Sequence, residues 1–306
     1  MALGGNPIFN GKNFRGATQA PPVPQAPYGQ APYGQQPYGQ PYGQQSYGRA
    51  PGQVMDGQGV YAQQNMTNEQ LQQMYNQPAA GPADTGRMTY DDVIVKTAAC
   101  LGVLLAGAAV TLFVSMGLAS LLMIVGALGG FVLALVNTFK KQPSPALILA
   151  YAGLEGLFLG GLTRVLDTMY PGVGLQAVIG TLSVFTVTLL LFKSGKVRAT
   201  PKAMKFFMIA LAGYALFSLV NLVMMITGLT TEPFGLRSGI IGVVIGVLAI
   251  GLAAFSLVMD FTSIEAGVQS GAPQRFSWTA AFGLTVTLVW LYVEIIRLLA
   301  ILRGDD

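Results

Sequence analysis

From residue 93 to the C-terminus, apolar runs alternate with short polar breaks, and this pattern restricts the fold more than any other feature. Each run reaches the roughly 20 residues that a helix needs to cross a hydrocarbon core of about 30 Å. The runs are continuously apolar and do not alternate residue by residue, which favours helices over barrel strands. The sequence therefore predicts an all-α membrane protein with seven transmembrane helices, at residues 93–116, 118–139, 146–166, 173–193, 206–227, 239–264 and 279–302.

The composition agrees with a membrane protein and narrows the classes of function. Only 10% of the residues are charged, against about a quarter in soluble domains. The net charge of +4 comes from bases that cluster in short loops, which is typical of topology signals, so we expect a lipid bilayer and no nucleic acid as partner. The chain has no histidine, which excludes Ser-His and Cys-His catalysis and H-E-x-x-H zinc sites.

The first ninety residues differ from the rest of the chain. Tyr-Gly recurs at positions 28, 33, 38, 42 and 47 among Pro, Gly and Gln, and such a segment buries too little apolar area to offset its chain entropy. We therefore divide the chain into a disordered tail, residues 1–90, and a membrane domain, residues 91–306. Self-association, binding by a partner that recognises proline-rich strands and a plain solvated extension all remain open for the tail.

The basic residues predict the orientation of the helices. With the N-terminus inside, the outer side holds only Arg164 and Arg237, with Arg297 and Arg303 near the C-terminus. The inner segments hold more: Arg87, Lys96, Lys140, Lys141, Lys193, Lys196, Arg198, Lys202, Lys205 and Arg275. We expect a cytoplasmic N-terminus and a C-terminus outside. Glycine pairs, Gly156 with Gly160 and Gly242 with Gly246, predict close helix packing.

Three acids lie within the predicted helices: Glu155, Asp260 and Glu294. A charge at the centre of a membrane helix costs roughly 2.5–3.5 kcal/mol, so each acid must be neutral, paired or in a wet cavity. Asp260 and Glu294 lie on consecutive antiparallel helices and could share a proton; ionised, such a pair suits Ca²⁺. The alternatives are an i,i+3 salt bridge from Glu294 to Arg297, and an interfacial position for Asp260. Glu155 could serve a helix–helix hydrogen bond or a pore.

The segments FSLVMDFTSIEAG (255–267), LVWLYVEIIRLLAILRGDD (288–306) and AYAGLEGLFLGG (150–161) resemble the Bax inhibitor-1 family, in its bacterial YccA-like branch. The resemblance covers roughly residues 90–306 and leaves the tail outside. It implies a seven-helix bundle with the last helix at the centre, in the bacterial plasma membrane. It also implies a pH-sensitive Ca²⁺ leak or Ca²⁺/H⁺ exchange, gated by an acidic pair.

In that resemblance Asp260 matches the first acid of the pair, and Glu294 matches the second, where relatives commonly carry Asp. Some bacterial relatives also have an acid in the second helix and a base at its end; here that helix has no acid, and only Lys140 and Lys141 stand at its inner end. We expect Ca²⁺ and H⁺ as partners, with Asp260 and Glu294 as ion ligands and no other cofactor.

Two other classes of function are open. A regulator without transport activity would bind other membrane proteins, for instance a quality-control protease. An intramembrane aspartyl protease would also use two acids on neighbouring helices, but neither Asp260 nor Glu294 stands in the Tyr-Asp or Gly-x-Gly-Asp setting of that class. We therefore expect that the chain is not an enzyme.

Overall fold

A computed structural model describes residues 86–232 and 234–304. The predicted disordered tail falls outside this range up to residue 85. The described residues form seven α-helices and a short 3₁₀ helix, Gly235–Arg237. The helices are α1 (Tyr90–Phe113), α2 (Met116–Phe139), α3 (Pro145–Met169), α4 (Val173–Lys193), α5 (Pro201–Ile226), α6 (Gly239–Gln269) and α7 (Phe276–Gly304).

All seven helices are long and apolar enough to cross a membrane, which confirms the predicted number of spans. Their ends follow polar capping residues as well as hydropathy. The Thr89 and Thr200 hydroxyls accept backbone N–H groups in the first turns of α1 and α5, as N-caps do. Two boundaries differ most from the prediction. Helix α5 begins five residues before the predicted start, and α6 ends five residues after the predicted end.

The last helix is the central one. More of α7 is buried than of any other described helix, and it packs against α1, α3, α4 and α6. By contrast, α2 packs on α3 and α1. The main apolar core is built around α7 and includes Leu291 and Ile296, both fully buried. The predicted central position of the last helix is confirmed.

Glycines bring the helices close together, as their spacing predicts. A Cβ on Gly156 would lie 2.1 Å from the Leu104 carbonyl oxygen of α1, and one on Gly160 would lie 2.5 Å from the Ala108 carbonyl oxygen. Between α6 and α7, a Cβ on Gly246 would meet Leu298 at 3.2 Å. Apolar burial gives little drive for association in lipid, so such close backbone approach stabilises the bundle.

The bundle has two ends, which we name by α7. The start of α7 lies beside the start of α1, where Arg87 and Pro273 form an isolated β-bridge and the Met88 N–H donates to the Ala272 carbonyl at 2.7 Å. We call this the near end. At the far end, the last turn of α7 meets the α3–α4 connection, and Arg303 donates to the Pro171 carbonyl at 2.6 Å.

Candidate functional site

Asp260 lies inside the bundle and its side chain is fully buried. The Thr287 hydroxyl of α7 donates to Asp260 Oδ2 over 2.7 Å, and the Ser256 hydroxyl lies 3.5 Å from that of Thr287. Since α6 continues nine residues beyond Asp260, the acid stands about 14 Å from the near end of its helix. Asp260, Ser256 and Thr287 thus form a short polar row between α6 and α7, away from the helix ends.

Glu294 stands in a different kind of site. Its carboxylate is buried and forms an ion pair with Arg297, one turn later on α7, which is the i,i+3 salt bridge that the sequence offered as the alternative to a pair with Asp260. Arg237 Nη1 lies 3.7 Å from Glu294 Oε1. The Tyr214 hydroxyl of α5 and the Trp290 indole N–H also donate to Oε1, the latter over 3.2 Å. One carboxylate therefore serves two guanidinium groups and two neutral donors.

The two arginines make this cluster formally cationic. Arg237 and Arg297 are both more than nine-tenths buried, and their Nε atoms are buried without a hydrogen-bond partner. Burial, and after it the Arg297 guanidinium, lower the pKa of Arg237, although an arginine keeps its proton in proteins. Neutralising Glu294 would leave two buried cations without a counter-charge, which is costly in a low dielectric.

Arg237 reaches Glu294 because the connection between α5 and α6 folds back into the bundle. Asn221 of α5 holds this segment from both sides: its Oδ1 accepts the Leu236 N–H at 2.7 Å, and its Nδ2 donates to the Phe234 carbonyl at 3.3 Å. Between them, Gly235 adopts φ +62°, and a Cβ there would lie 2.5 Å from Asn221 Oδ1. We call residues Phe234–Ser238 the strap.

Neutral side chains of α5 complete the seat for the Arg237 guanidinium. It donates to the Ser218 hydroxyl, and it lies over the ring of Tyr214, with 4.8 Å to the centroid, and over that of Phe217, at 5.5 Å. Such cation–π contacts stabilise a guanidinium most where water is excluded. The strap therefore delivers a cation to a site that α5 and α7 build together.

The structure places the two acids at different levels of α7. Asp260 stands opposite Thr287, and Glu294 follows Thr287 by seven residues, which is two turns or about 10 Å along the axis. Because seven residues return to nearly the same face, Thr287, which contacts Asp260, and Glu294 lie along one stripe of α7, with buried Leu291 between their levels. Thr287 of α7 thus gives Asp260 a hydroxyl partner, and Glu294 has its own set of partners.

The accessory residues predicted from the sequence lie elsewhere. Glu155 is buried on α3, where its carboxylate lies against Gly130 of α2: a Cβ on that glycine would be 2.7 Å from Glu155 Oε1. Tyr151, one turn earlier on α3, interacts with the same carboxyl. Lys140 and Lys141 are exposed at the end of α2. Within the described residues, no three Cys, Asp or Glu side chains cluster together.

A cavity of about 360 Å³ opens at the far end, and Tyr292 of α7 forms part of its wall. The Tyr292 hydroxyl lies 2.6 Å from that of Thr163. Two further lining residues cap helices: Arg164 donates to the Thr111 and Val114 carbonyls at the end of α1, and Asp167 accepts the Gly172 and Gly174 N–H groups at the start of α4. Arg164 and Asp167, three residues apart on α3, therefore cap two different helices.

Nearly the whole chain matches one protein family. The sequence model of the family described as Bax inhibitor 1 like matches residues 6–304. The chain belongs to this family. No match is found among curated proteins. The matched range includes most of the N-terminal tail, so the expectation that the resemblance begins near residue 90 was wrong. A multi-pass membrane protein with its last helix at the centre agrees with this family assignment.

Sequence reasoning did not find three residues of these sites. Thr287 and Tyr214 are single polar side chains in apolar runs, and the sequence does not say which helix each faces. Arg237 was counted only as a loop base. A signal was present in Asn221, a strongly polar amide near the end of an apolar helix, because such a residue needs hydrogen-bond partners. However, the sequence alone does not predict that the backbone of the strap provides these partners.

Proposed function

We propose that this protein is a pH-sensitive Ca²⁺ leak channel or Ca²⁺/H⁺ exchanger of the YccA-like branch, in the bacterial plasma membrane with its N-terminus in the cytoplasm. Asp260 of α6 and Glu294 of α7 are its ion-binding and gating acids. The observation that carries the proposal is the fully buried Asp260 carboxyl, set inside the bundle beside the hydroxyls of Thr287 and Ser256.

The chemistry of this polar row supports an exchange of protons for cations. A carboxyl buried in a membrane helix is tolerated when it is protonated, paired or hydrated. Ca²⁺ prefers oxygen ligands and accepts carboxylates, neutral oxygens and water together. Asp260 offers the carboxylate, and Ser256 and Thr287 offer neutral oxygens within the same row. A proton and a cation therefore compete for the Asp260 oxygens, which makes cation entry depend on pH.

Glu294 contributes differently to the same path. Its oxygens are occupied by Arg297, Arg237, Tyr214 and Trp290, so its carboxylate becomes available to a cation only after a guanidinium has moved away. In this proposal Asp260 is the acid that exchanges a proton, and Glu294 is a second acid, two turns further along α7, that a rearrangement exposes.

The test is Ca²⁺ flux into proteoliposomes loaded with an indicator, at about pH 6 and about pH 8, on either side of neutrality. We expect Asp260→Asn to abolish the pH dependence and Glu294→Gln to change the flux at both values. The matched controls are Asp91→Asn and Glu232→Gln, which make the same chemical changes at exposed residues and should leave flux unchanged. All values are normalised to monodisperse protein recovered from the liposomes.

Unchanged flux and unchanged pH dependence in both buried-acid variants would remove these acids from the mechanism. An absence of Ca²⁺ flux from the wild-type protein under all conditions would contradict transport itself. It would favour the other candidate, a membrane regulator that binds partners such as a quality-control protease.

A further inference from the structure

The cluster around Glu294 lies between the Asp260 row and the far end of α7. A cation that follows the α7 stripe from Asp260 toward the far end comes to the level of Arg237 and Arg297. Two guanidinium groups against one carboxylate give this level an excess of positive charge. In a medium of low dielectric such an excess repels a cation strongly. The two guanidinium groups therefore oppose the passage of a cation toward the far end of the bundle.

Of these two arginines, only Arg237 lies on a segment that can move away from Glu294. Arg297 belongs to the buried central helix, whereas Arg237 ends the short 3₁₀ helix of the strap. The strap is held by the Asn221 side chain, by the seat of its own arginine and by the ion pair with Glu294. Phe234 packs against the main core, and the Ser238 carbonyl accepts the Gly242 N–H of α6. A short connection anchored largely by side chains can supply a hinge or lid motion when those anchors release.

The inserted arrangement also leaves polar groups unsatisfied. The Nε atoms of Arg237 and Arg297 and the Ser238 hydroxyl are buried without hydrogen-bond partners. Buried donors without partners are rare because each one costs desolvation energy. Withdrawal of the strap would return Arg237 and Ser238 to water and admit water to Arg297. The inserted strap carries the cost of buried polar groups without partners, and the withdrawn strap loses the Arg237–Glu294 ion pair. Because each arrangement has its own cost, we expect the strap to populate both.

We propose that the strap, Phe234–Ser238, is a closing device whose inserted Arg237 blocks the far end of the path. Withdrawal of the strap removes one of the two guanidinium groups and exposes the Glu294 carboxylate to a cation. The consequence for ions rests on the proposed function above. The movement of the strap does not rest on it and can be measured separately.

The movement is tested by water access to the seat beneath the strap. Ser218, which accepts the Arg237 hydrogen bond, is replaced by cysteine in a Cys100→Ala background, because Cys100 is the chain's single cysteine. A membrane-impermeant methanethiosulfonate reagent is then applied to proteoliposomes. Adding Asn221→Ala releases the strap without changing any charge, and we expect it to raise the labelling rate of this cysteine about tenfold by populating the open arrangement.

The matched control for this experiment is Asn137→Ala. Asn137 of α2 also donates its side-chain amide to backbone carbonyls, those of Leu133 and Leu147, but it does not belong to the strap. It should leave labelling of the Ser218→Cys site unchanged. Equal labelling rates with Asn221→Ala and with Asn137→Ala would overturn the proposed movement.

The consequence for ions is tested by Ca²⁺ flux in Arg237→Gln and Asn221→Ala, with Arg303→Gln as the control for loss of an arginine at the far end. We expect several-fold faster Ca²⁺ entry in the first two variants and an unchanged rate in the control. Flux in the wild type that neither variant accelerates would overturn the blocking role. Faster cysteine labelling with no flux from any protein would contradict the proposed transport and leave the strap movement established.

Discussion

Asp260 of α6 and Glu294 of the central helix α7 are both buried acids, but their surroundings differ in kind. Asp260 accepts a hydrogen bond from a threonine hydroxyl, whereas Glu294 is the counter-charge for two buried guanidinium groups. The lesson is that burial of an acid in a membrane helix does not define its role. The partners decide whether the carboxylate is needed as a charge or as a set of oxygen ligands.

The largest expected effect is on stability, and it comes from Glu294→Gln. The amide would leave Arg237 and Arg297 buried without a counter-charge, and breaking a buried ion pair from one side costs about 3–5 kcal/mol. We expect a loss of this size in the free energy of unfolding, measured by denaturant titration in mixed detergent micelles.

Asp260→Asn provides the contrast. Asparagine keeps a carbonyl oxygen that can accept the Thr287 hydroxyl, and altering an ordinary hydrogen bond changes the free energy of unfolding by about 0.5–1.5 kcal/mol. We therefore expect a smaller loss than for Glu294→Gln. Equal losses for the two acid-to-amide changes would break the comparison, because they would mean that Asp260 is also held as a counter-charge.

The next effect concerns the segment that brings Arg237 to Glu294. Gly235→Ala places a Cβ at φ +62° and 2.5 Å from Asn221 Oδ1, whereas Gly228→Ala meets a similar φ of +71° with nothing within 4 Å. A left-handed backbone costs a non-glycine residue about 1–2 kcal/mol. Both variants should lose that amount in unfolding free energy, and Gly235→Ala should lose more because the strap must shift.

If the two glycine variants lose the same stability, the strap tolerates the displacement and Arg237 is not tightly positioned. In that case the Glu294 cluster would be less dependent on the α5–α6 connection than the hydrogen bonds of Asn221 indicate. The same unfolding titration in micelles checks this outcome.

Most of the fold could be predicted because membrane helices are specified by long apolar runs. The number of spans and the central place of the last helix are confirmed. The boundaries were less accurate because caps such as Thr200, and helix continuation past the apolar run of α6, depend on contacts at the bundle ends. Hydropathy does not report those contacts.

The candidate site could be predicted only in its local part. The pairing of Glu294 with Arg297 follows from an i,i+3 spacing on one helix, and it is confirmed. The contact of Thr287 with Asp260 depends on the vertical register of α6 against α7. The arrival of Arg237 depends on a connection that folds back into the bundle. Neither the register of two helices nor the path of a connection can be predicted from the spacing of residues within a single helix.

The smallest effect tests the other half of the comparison, the partner of Asp260. Thr287→Val keeps the shape of the side chain but removes the donor to the Asp260 carboxyl, and one such hydrogen bond contributes a net of about 0.5–1.5 kcal/mol. Thr285→Val is the matched control: Thr285 is also buried on α7, but its hydroxyl donates to the Ala281 carbonyl of its own helix and its other side-chain partner is the Cys100 thiol, which is not a carboxyl. We expect a smaller loss in unfolding free energy for the control, and recovery in Thr287→Ser. Equal losses for the two valine variants would mean that the Thr287 hydroxyl does not stabilise Asp260, and the polar row would then lose its support as a cation site.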